Sequence, residues 1–365
     1  MSAQALFTPY TLKGLNLPNR IVMAPMTRSF SPGGIPSAGV PGYYRRRAEN
    51  AVGLILSEGV GINRPAARND PAVPWFWGDA LTEWSKVISA VKAADGLMMP
   101  QLWHRGALRN PSIKDYAPTP LDSPSGMASP GKPLAEPMSD EAIADTIDAF
   151  AQAAKDAQRL GFHGVELHGA HGYLIDEFFW DGTNERTDQW GGASLAARTA
   201  FAVAVIKACR AATGPDFPVG IRLSQWKQQA FEVKLAATPD DLAAWLQPMV
   251  DAGADYLHCS QRRFWEPEFD GSDLNFAGWA KKLTGKPTIT VGSVGLSGEF
   301  VAAYRGESSK PASLDELVRR LERGDFDLVA VGRALLADPA WAVKIRDDRH
   351  GDLMDFSVKD LGTLS

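Results

Sequence analysis

The residues of greatest chemical interest lie in 166–179, which reads ELHGAHGYLIDEFF. His168 and His171 are three residues apart, and Tyr173 follows two residues later. Two imidazoles can begin a metal site. Alternatively, two N–H donors can stabilise a developing oxyanion while the phenol donates a proton. The remainder of the chain decides between these two kinds of chemistry.

A metal site would need more ligands than this segment supplies. A His-x-x-His pair can bind zinc, but a catalytic zinc requires a third protein ligand. No His-x-His follows the first predicted strand, and no Asp ends the last one. We therefore predict no metal. A metal-dependent barrel hydrolase that uses the His168–His171 pair is kept as the alternative function.

Eight short apolar runs predict the strands that must position these residues. Each is rich in Val, Ile and Leu and apolar on both faces, which is typical of a parallel strand buried on both sides. The runs are RIVMAPM (20–26), GLILSEG (53–59), LMMPQLW (97–103), GVELHGA (164–170), PVGIRLS (218–224), DYLHCS (255–260), TITVGSV (288–294) and LVAVGRA (328–334).

The segments between the strands have helical patterns. Residues 139–162 begin with a capping Ser139 and end at Gly161, as helices commonly do. Three further helices follow the same plan, with the pairs Ser194 and Gly214, Thr238 and Gly253, and Ser313 and Gly324 at their ends. Eight alternations of strand and helix predict an α/β fold, a single (β/α)8 TIM barrel over residues 1–365.

Two segments fall outside this repeat. Residues 7–19 resemble a small N-terminal hairpin that would cover the bottom of the barrel. Residues 105–138 are rich in Pro, Ser and Gly and follow the third strand. A loop of this length is usually functional, so we predict an inserted lid.

Polar residues at the carboxyl ends of the strands should form the active site of such a barrel. The loops after the seventh and eighth strands carry Gly292, Ser293, Gly332 and Arg333, and loops in these places often bind phosphate. Arg222 could lie beside an electron-rich ring nitrogen. The Gln101 amide suits a pyrimidine edge, because it can both donate and accept a hydrogen bond.

The same residues carry a family resemblance over almost the whole chain. NRIVMAPMTR, SEG, QLWHRG, ELHGAHGYLIDEFF, NERTDQWGG, IRLS, VGSVG and AVGRALLADP resemble, in this order, the motifs of the old yellow enzyme family of FMN-dependent ene-reductases. The pair ELHGAHGYL and NERTDQWGG is the most specific part. Two segments depart from the common pattern, namely 224–232 and 259–276, and both are expected to border the substrate pocket.

The resemblance implies a role for each site residue. FMN would place its phosphate at Gly292, Ser293, Gly332 and Arg333, and its ring system against Pro25, Met26, Thr27 and Gly59. Gln101 and Arg222 would bind the pyrimidine end. His168 and His171 would hold the carbonyl oxygen of the substrate, Tyr173 would donate the proton, and Trp103 would shape the substrate pocket.

The function implied is hydride transfer from NADPH or NADH, through FMN, to α,β-unsaturated carbonyls or nitroalkenes by ping-pong kinetics. A phosphate-binding lyase or isomerase without flavin is a further alternative, although no lysine ends a predicted strand to form a Schiff base. A non-catalytic binding role is disfavoured because many polar groups converge on one face.

Composition narrows the partners and the location. The net charge is −5 and 45% of residues are apolar, so no basic surface for nucleic acid is expected. The only basic cluster, Arg45–Arg47, is interpreted as a solvated helix face. No run approaches the roughly 20 apolar residues of a membrane span. Two cysteines and no leader pattern predict a cytoplasmic protein, and a homo-oligomer is left open.

Overall fold

A two-stranded antiparallel hairpin precedes the barrel in this computed structural model, which describes residues 3–109, 113, 121–298 and 308–365. Its strands are β1 (Tyr10–Leu12) and β2 (Leu15–Leu17). Leu12 and Leu17 are buried and pack in one cluster with Val22, Leu54 and Leu328 from inside the barrel. The predicted hairpin therefore exists, and its two leucines fill the barrel interior next to the strands.

Eight parallel strands form a closed barrel, which confirms the predicted (β/α)8 fold. The last strand of the barrel pairs with both the first and the seventh strand of the barrel, so the sheet has no free edge. The strands are β3 (Ile21–Met23), β4 (Leu54–Gly61), β5 (Met98–Trp103), β6 (Val165–His171), β7 (Val219–Lys227), β8 (Tyr256–Ser260), β9 (Thr288–Val291) and β10 (Leu328–Val331).

Helices surround the barrel and bury their apolar faces against it. Within the described residues they are α1 (Val40–Glu49), α2 (Ala80–Lys92), α3 (Asp140–Leu160), α4 (Leu174–Phe179), α5 (Ala200–Thr213), α6 (Pro239–Asp251), α7 (Phe276–Thr284), α8 (Asp315–Arg323), α9 (Arg333–Ala337) and α10 (Trp341–Arg346). None of these described helices is both long and apolar enough to span a bilayer.

The predicted starts are correct at α3 and α6, and the predicted ends at Gly161, Gly214 and Gly324 are correct as well, whereas α5 and α8 begin later than predicted. Ser139 accepts a hydrogen bond from Ala142 N–H, and Thr238 forms a reciprocal capping box with Asp241. Ser194 Oγ accepts from Ala197 N–H, but Ala197–Thr199 is a 3-10 helix, so α5 begins only at Ala200. The pattern indicates where the apolar face lies, but it does not distinguish a 3-10 turn from the first turn of an α-helix.

The basic cluster is not a fully solvated face, because Arg47 is buried. Its guanidinium lies 3.9 Å from the ring centre of Tyr43 and donates to the carbonyl oxygens of Leu335 and Ser365. Consecutive helical residues point about 100° apart, so three in a row cannot all face solvent on a helix that packs against a core. The interpretation of this cluster was therefore wrong for its third residue.

The segment predicted as a lid is described in part. Residues 110–112 and 114–120 lie outside the described residues. Residues 121–138 contain an antiparallel bridge between Met127 and Pro133. Asp122 holds the start of this part near the barrel, with Oδ2 3.0 Å from His104 Nε2 and 3.3 Å from Arg64 Nε. The predicted lid function remains a prediction.

Candidate active site

One cavity at the carboxyl ends of the strands contains every site residue predicted from the sequence. Its lining includes Pro25, Met26, Thr27, Gly59, Gln101, Trp103, His168, His171, Tyr173, Arg222, Gly292, Ser293, Gly332 and Arg333. These residues come from seven of the eight strands or the loops that follow them. The barrel closure therefore brings together positions that are more than 300 residues apart along the chain, while their individual roles stay predictions.

The turn that carries the two histidines is backbone-strained. His171 has φ 67° and Gly172 has φ 82°, so two successive residues are left-handed. The pairing of β6 with β7 also shifts register between Gly169 and His171. This shift changes the direction of the His171 side chain at the strand end. A non-glycine residue in this conformation costs about 1–3 kcal/mol and is commonly found at functional sites.

Gly169 precedes the turn and does not itself have a positive φ. A side chain at Gly169 would instead meet Ile221 Cδ1 at 3.0 Å and Ile175 Cγ2 at 3.1 Å. Glycine is therefore required at this position for close packing, and the turn itself is made by His171 and Gly172.

Three rings meet edge to face over the cavity. The His168 ring centre lies 5.2 Å from that of His171 and 4.8 Å from that of Tyr173. The Trp103 ring lies 5.1 Å from Tyr173 at an interplanar angle of 84°. The imidazoles and the phenol are therefore close enough to act on one small molecule.

Both histidines are neutral at physiological pH. Burial, reinforced by the nearby Arg222 cation, holds the pKa of His168 and that of His171 well below the usual range. Burial lowers the pKa of Arg222 to about 10, so the guanidinium stays protonated. Neutral imidazoles next to a fixed cation suit the stabilisation of negative charge on a ligand.

Ser260, at the end of β8, links the guanidinium of Arg222 to the imidazole of His171. Its hydroxyl oxygen accepts from Arg222 Nη2 at 3.2 Å and lies 2.8 Å from His171 Nε2. Ser260 also lines the cavity. The sequence showed it at a strand end, yet a serine there gives no distinctive signal.

A network of buried hydrogen bonds holds the side chain of Gln101. Its Nε2 donates to Glu166 Oε1 at 2.7 Å, and Glu166 Oε2 lies 2.9 Å from His258 Nδ1. All three side chains are almost fully buried. These bonds fix the orientation of the Gln101 amide at the cavity wall.

Glu58 anchors the cavity wall that is formed by β3 and β4. Its Oε2 accepts from the backbone N–H of Arg28 at 2.9 Å, which holds the loop containing Thr27. The Glu58 N–H donates to the hydroxyl oxygen of Tyr44 at 2.9 Å. Burial raises the pKa of the Glu58 carboxyl from 4.5 to about 7.

The two predicted phosphate loops lie side by side. Gly292 has φ 148°, and a side chain there would meet Gln261 O at 2.6 Å. Ser293 has φ 52° and donates to Arg262 O at 3.0 Å. Arg333 begins α9 and donates through Nη2 to Gly298 O at 2.7 Å. Gly292 and Ser293 are therefore both held at positive φ, and the Arg333 guanidinium lines the same cavity.

These residues fit FMN on the chemistry of their donor groups. The buried Arg222 Nε and Trp103 Nε1 have no hydrogen-bond partner within the described residues, so donors remain for a ligand. A side chain at Gly332 would point towards Met26 and Ala24, which also line the cavity. The site thus has a cationic end near Arg333, an apolar floor and polar groups at the opposite end.

The same environment disfavours a metal at the histidine pair. Within the described residues, no three His, Cys, Asp or Glu side chains form a cluster that could hold a metal ion. The groups next to the two imidazoles are Arg222, Ser260 and aromatic rings. A bound cation would be repelled by the guanidinium and would find no carboxylate among these neighbours.

Strand β7 runs further than predicted and brings a lysine to a strand end, contrary to expectation. Lys227 ends β7 and pairs in register with His171. Its ammonium is fully buried, 2.7 Å from Asp176 Oδ1, and does not line the cavity. This lysine is a structural ion-pair partner rather than a group placed for a Schiff base.

Several lining residues were not predicted individually. Trp226 stacks on His171 with a ring-centre distance of 4.6 Å, and Gln228 and Arg262 line the mouth. Phe356 and Leu361 enter from the end of the chain. The first three belong to the two segments that depart from the family pattern, so that departure was the only available signal. The last two gave none, because their position depends on tertiary packing alone.

The NERTDQWGG segment (184–192) braces the site from outside. Asn184 Nδ2 donates to Phe178 O at 2.8 Å and to Trp190 O at 2.9 Å. Arg186 donates to Pro124 O at 2.9 Å and to Met138 O at 2.7 Å. The segment therefore ties α4, which follows the histidine turn, to residues 121–138.

Comparisons with known proteins agree with this architecture. A sequence profile described as the NADH:flavin oxidoreductase / NADH oxidase family matches residues 5–352. The chain is 32% identical to 12-oxophytodienoate reductase 7 of Oryza sativa subsp. japonica, over 93% of this chain and 87% of that protein.

Two solved structures are similar over nearly their full length. Morphinone reductase in complex with tetrahydroNAD is 28% identical with a TM-score of 0.76, covering 94% of this chain and 91% of the other. The old yellow enzyme homologue from Zymomonas mobilis is 25% identical with a TM-score of 0.80, covering 99% and 97%.

Proposed function

Because this chain belongs to the NADH:flavin oxidoreductase / NADH oxidase family, the old yellow enzyme type, we propose that it is an ene-reductase. FMN is its cofactor and NAD(P)H its reductant. The proposed substrates are activated alkenes, namely α,β-unsaturated carbonyls and nitroalkenes. One observation carries the proposal: over the cavity that fits FMN, the ring centre of the neutral His168 lies 5.2 Å from that of the neutral His171 and 4.8 Å from that of the Tyr173 phenol.

The residues that would hold FMN follow from the walls of the cavity. Gly292, Ser293, Gly332 and Arg333 would bind the phosphate with backbone N–H groups and one guanidinium. Pro25, Met26, Thr27 and Gly59 would contact the ring system. Gln101 and Arg222 would bind the pyrimidine end. Bound FMN supplies a two-electron hydride carrier between the nicotinamide and the alkene.

The histidine pair is proposed to bind the carbonyl or nitro oxygen of the substrate. When hydride adds to the β-carbon, negative charge develops on this oxygen. N–H donors from His168 and His171 bind the charged oxygen more strongly than the neutral one, so they stabilise the transition state more than the ground state. Trp103 would shape the pocket around the alkene.

Tyr173 is proposed as the proton donor. Its O–H bond breaks while a new C–H bond forms at the α-carbon, and the electron pair stays on the phenol oxygen. Burial raises the pKa of Tyr173, so the phenol is protonated and ready to donate at neutral pH. The proton balances the hydride, and the product is a saturated carbonyl or nitro compound.

A single shared cavity explains the proposed ping-pong order. Family membership supplies NAD(P)H as reductant, and the described residues form this barrel domain without a separate dinucleotide fold. The nicotinamide would therefore occupy the substrate pocket first and leave before the alkene enters. The cytoplasmic location stays a prediction.

The two half-reactions provide the test. Tyr173→Phe should slow alkene reduction by about 10²–10⁴-fold, because general-acid catalysis has this magnitude. Reduction of the yellow FMN enzyme by NAD(P)H should remain within a few-fold of wild type, since it needs no proton donor at this position. Stopped-flow absorbance with 2-cyclohexenone and a nitroalkene measures both rates.

The matched control is Tyr10→Phe, on the hairpin at the opposite end of the barrel. It should leave both half-reactions unchanged. Equal loss in both half-reactions of Tyr173→Phe would remove Tyr173 from the donor role. Purified protein without any flavin absorbance would contradict the proposal as a whole.

A further inference from the structure

An arm of the chain, residues 356–365, borders the cavity and contributes two side chains to it, those of Phe356 and Leu361. The Phe356 ring is fully buried, and its centre lies 5.5 Å from the guanidinium carbon of Arg333. The backbone of Phe356 also pairs with that of Ser309, since each N–H donates to the carbonyl oxygen of the other, at 2.9 and 3.0 Å. The start of the arm is therefore fixed at the proposed phosphate end of the cavity.

Arg28 holds the middle of the arm. Its Nη2 donates to the carbonyl oxygens of Asp360 and Leu361, at 3.2 and 3.3 Å, and also to that of Thr363. Arg28 is only 4% exposed, and its guanidinium carbon lies 5.3 Å from the ring centre of Tyr43. Displacement of the arm would leave this buried cation without the carbonyl oxygens that it binds, which is costly.

Arg28 also belongs to the loop that is proposed to contact the flavin ring system. It follows Thr27 in the chain, and its backbone N–H donates to Glu58 Oε2 at 2.9 Å, one residue before Gly59. Thr27 and Gly59 both line the cavity. The arm therefore extends from Arg333, at the phosphate end, to the loop at the ring end.

Two arginines of α1 hold the last residues of the arm. Arg46 donates to the carbonyl oxygen of Leu364, and Arg47 donates to that of Ser365. The Ser365 hydroxyl donates to Leu336 O at 3.2 Å. The arm is thus bound to the barrel at its start, in its middle and at its last residues.

We propose that the arm retains FMN in the cavity and that Arg28 is the positioning residue that holds the arm in place. FMN bound between Arg333 and Thr27 would lie alongside Phe356 and Leu361, so release on this side of the cavity requires the arm to move. Arg28 does not line the cavity and acts through the arm. The proposal rests on the proposed position of FMN and is independent of the role of Tyr173.

The test measures the release of FMN and needs no turnover. The FMN enzyme is mixed with a large excess of ¹³C-labelled FMN, and native mass spectrometry follows the replacement of bound unlabelled FMN. Under these conditions the exchange rate equals the dissociation rate. In Arg28→Met, which keeps the length of the side chain but loses its donors, exchange should be about tenfold faster or more, because several hydrogen bonds from a charged group to the arm are lost.

The matched control is Arg210→Met. Arg210 also binds three carbonyl oxygens, those of Gly214, Phe217 and Gly253, at 3.0, 2.6 and 2.9 Å. These residues precede β7 and β8, so they lie at the end of the barrel opposite the cavity. Arg210→Met should therefore leave the exchange rate unchanged although it loses a similar set of bonds. If Arg28→Met and Arg210→Met accelerate exchange equally, or if neither does, the proposal is wrong.

A second pair of variants tests the arm without removing a buried charge. Leu361 is 38% exposed and lines the cavity, whereas Val358 is 41% exposed and does not line it. Leu361→Ala should accelerate exchange about threefold or more, because apolar contact at the edge of the cavity is lost. Val358→Ala should leave the rate unchanged. Equal rates in these two variants would show that the arm does not retain FMN.

The exchange experiment separates this proposal from the proposed function. If Tyr173→Phe does not slow alkene reduction, the proton-donor role fails, and the exchange rates still decide whether the arm retains FMN. If Arg28→Met exchanges FMN as slowly as wild type, the role of the arm is refuted and the proton-donor role is unaffected.

Discussion

At the scale of single residues, the chemistry depends on which groups are charged. His168 and His171 are buried next to Arg222, and this cation together with the lack of solvation keeps both imidazoles neutral. Tyr173 stays protonated for the same reason of burial. The cavity thus holds neutral donors around one fixed positive charge. An anionic ligand is therefore favoured there.

The first prediction at this scale concerns phenols, which mimic an enolate. In the oxidised FMN enzyme, His168→Ala and His171→Ala should each weaken the binding of 4-hydroxybenzaldehyde about tenfold or more, because a hydrogen bond to a charged oxygen contributes roughly 1.5–3 kcal/mol. Titration of the long-wavelength absorbance of the complex measures the dissociation constant. His163→Ala should have no effect, since His163 binds the backbone of Met98 before β6 begins. Unchanged phenol affinity in both site variants would remove the pair from the oxyanion role.

At the scale of elements, the site is a junction between β6, β7 and α4. The buried Lys227–Asp176 pair joins the end of β7 to α4, and Asp176 also binds the backbone of the histidine turn at Gly172. Burial lowers the pKa of Lys227 and raises that of Asp176, while their mutual attraction opposes both effects. Such a pair fixes geometry more than it adds stability.

The second prediction uses this pair. Lys227→Met leaves a buried carboxylate without its counter-ion, so the free energy of unfolding should fall by about 3–5 kcal/mol. The double variant Asp176→Asn, Lys227→Met removes both charges, and its amide oxygen can still accept from Gly172 N–H. It should recover a large part of the loss. Urea unfolding followed by circular dichroism measures both, and equal instability of the single and double variants would contradict the argument.

At the scale of the whole molecule, the closed barrel buries carboxyl groups that a smaller protein could not hide. Burial raises the pKa of Glu58 to about 7, and it also raises the pKa of Asp176 and of Glu177. A raised pKa means that the folded chain binds the proton more tightly than the unfolded chain does. The protonated carboxyl groups therefore contribute fully to the free energy of unfolding at pH values below their unfolded-state pKa. This contribution is lost as the pH rises through their folded-state pKa.

The third prediction isolates Glu58. Between pH 4.5 and about 7, the wild-type free energy of unfolding should lose a contribution that Glu58→Gln does not lose. At pH 8 the variant should be more stable than wild type by the order of 3 kcal/mol, at about 1.4 kcal/mol per pKa unit. Urea unfolding of the FMN enzyme at pH 5 and pH 8 measures this difference. Glu49→Gln, an exposed position on α1, should follow wild type at both values, and a parallel response of Glu58→Gln would show that Glu58 does not titrate there.

The sequence by itself determined the barrel and the positions of its eight strands. Strands buried on both faces are continuous apolar runs, so all eight could be located without knowing their neighbours. Parallel closure places every carboxyl end on one rim, so residues such as Gln101, Arg222 and Gly292 could be assigned to one cavity before their distances were known.

Only the tertiary structure decided how the site is held. Four features have no local pattern: the left-handed backbone of His171, the extension of β7 to Lys227, and the entry of Gln228 and of Phe356 into the cavity. Each depends on contacts between segments that are far apart in the chain or on strain that surrounding packing must hold. Periodicity reports which face of an element is buried, but not which partner lies against it.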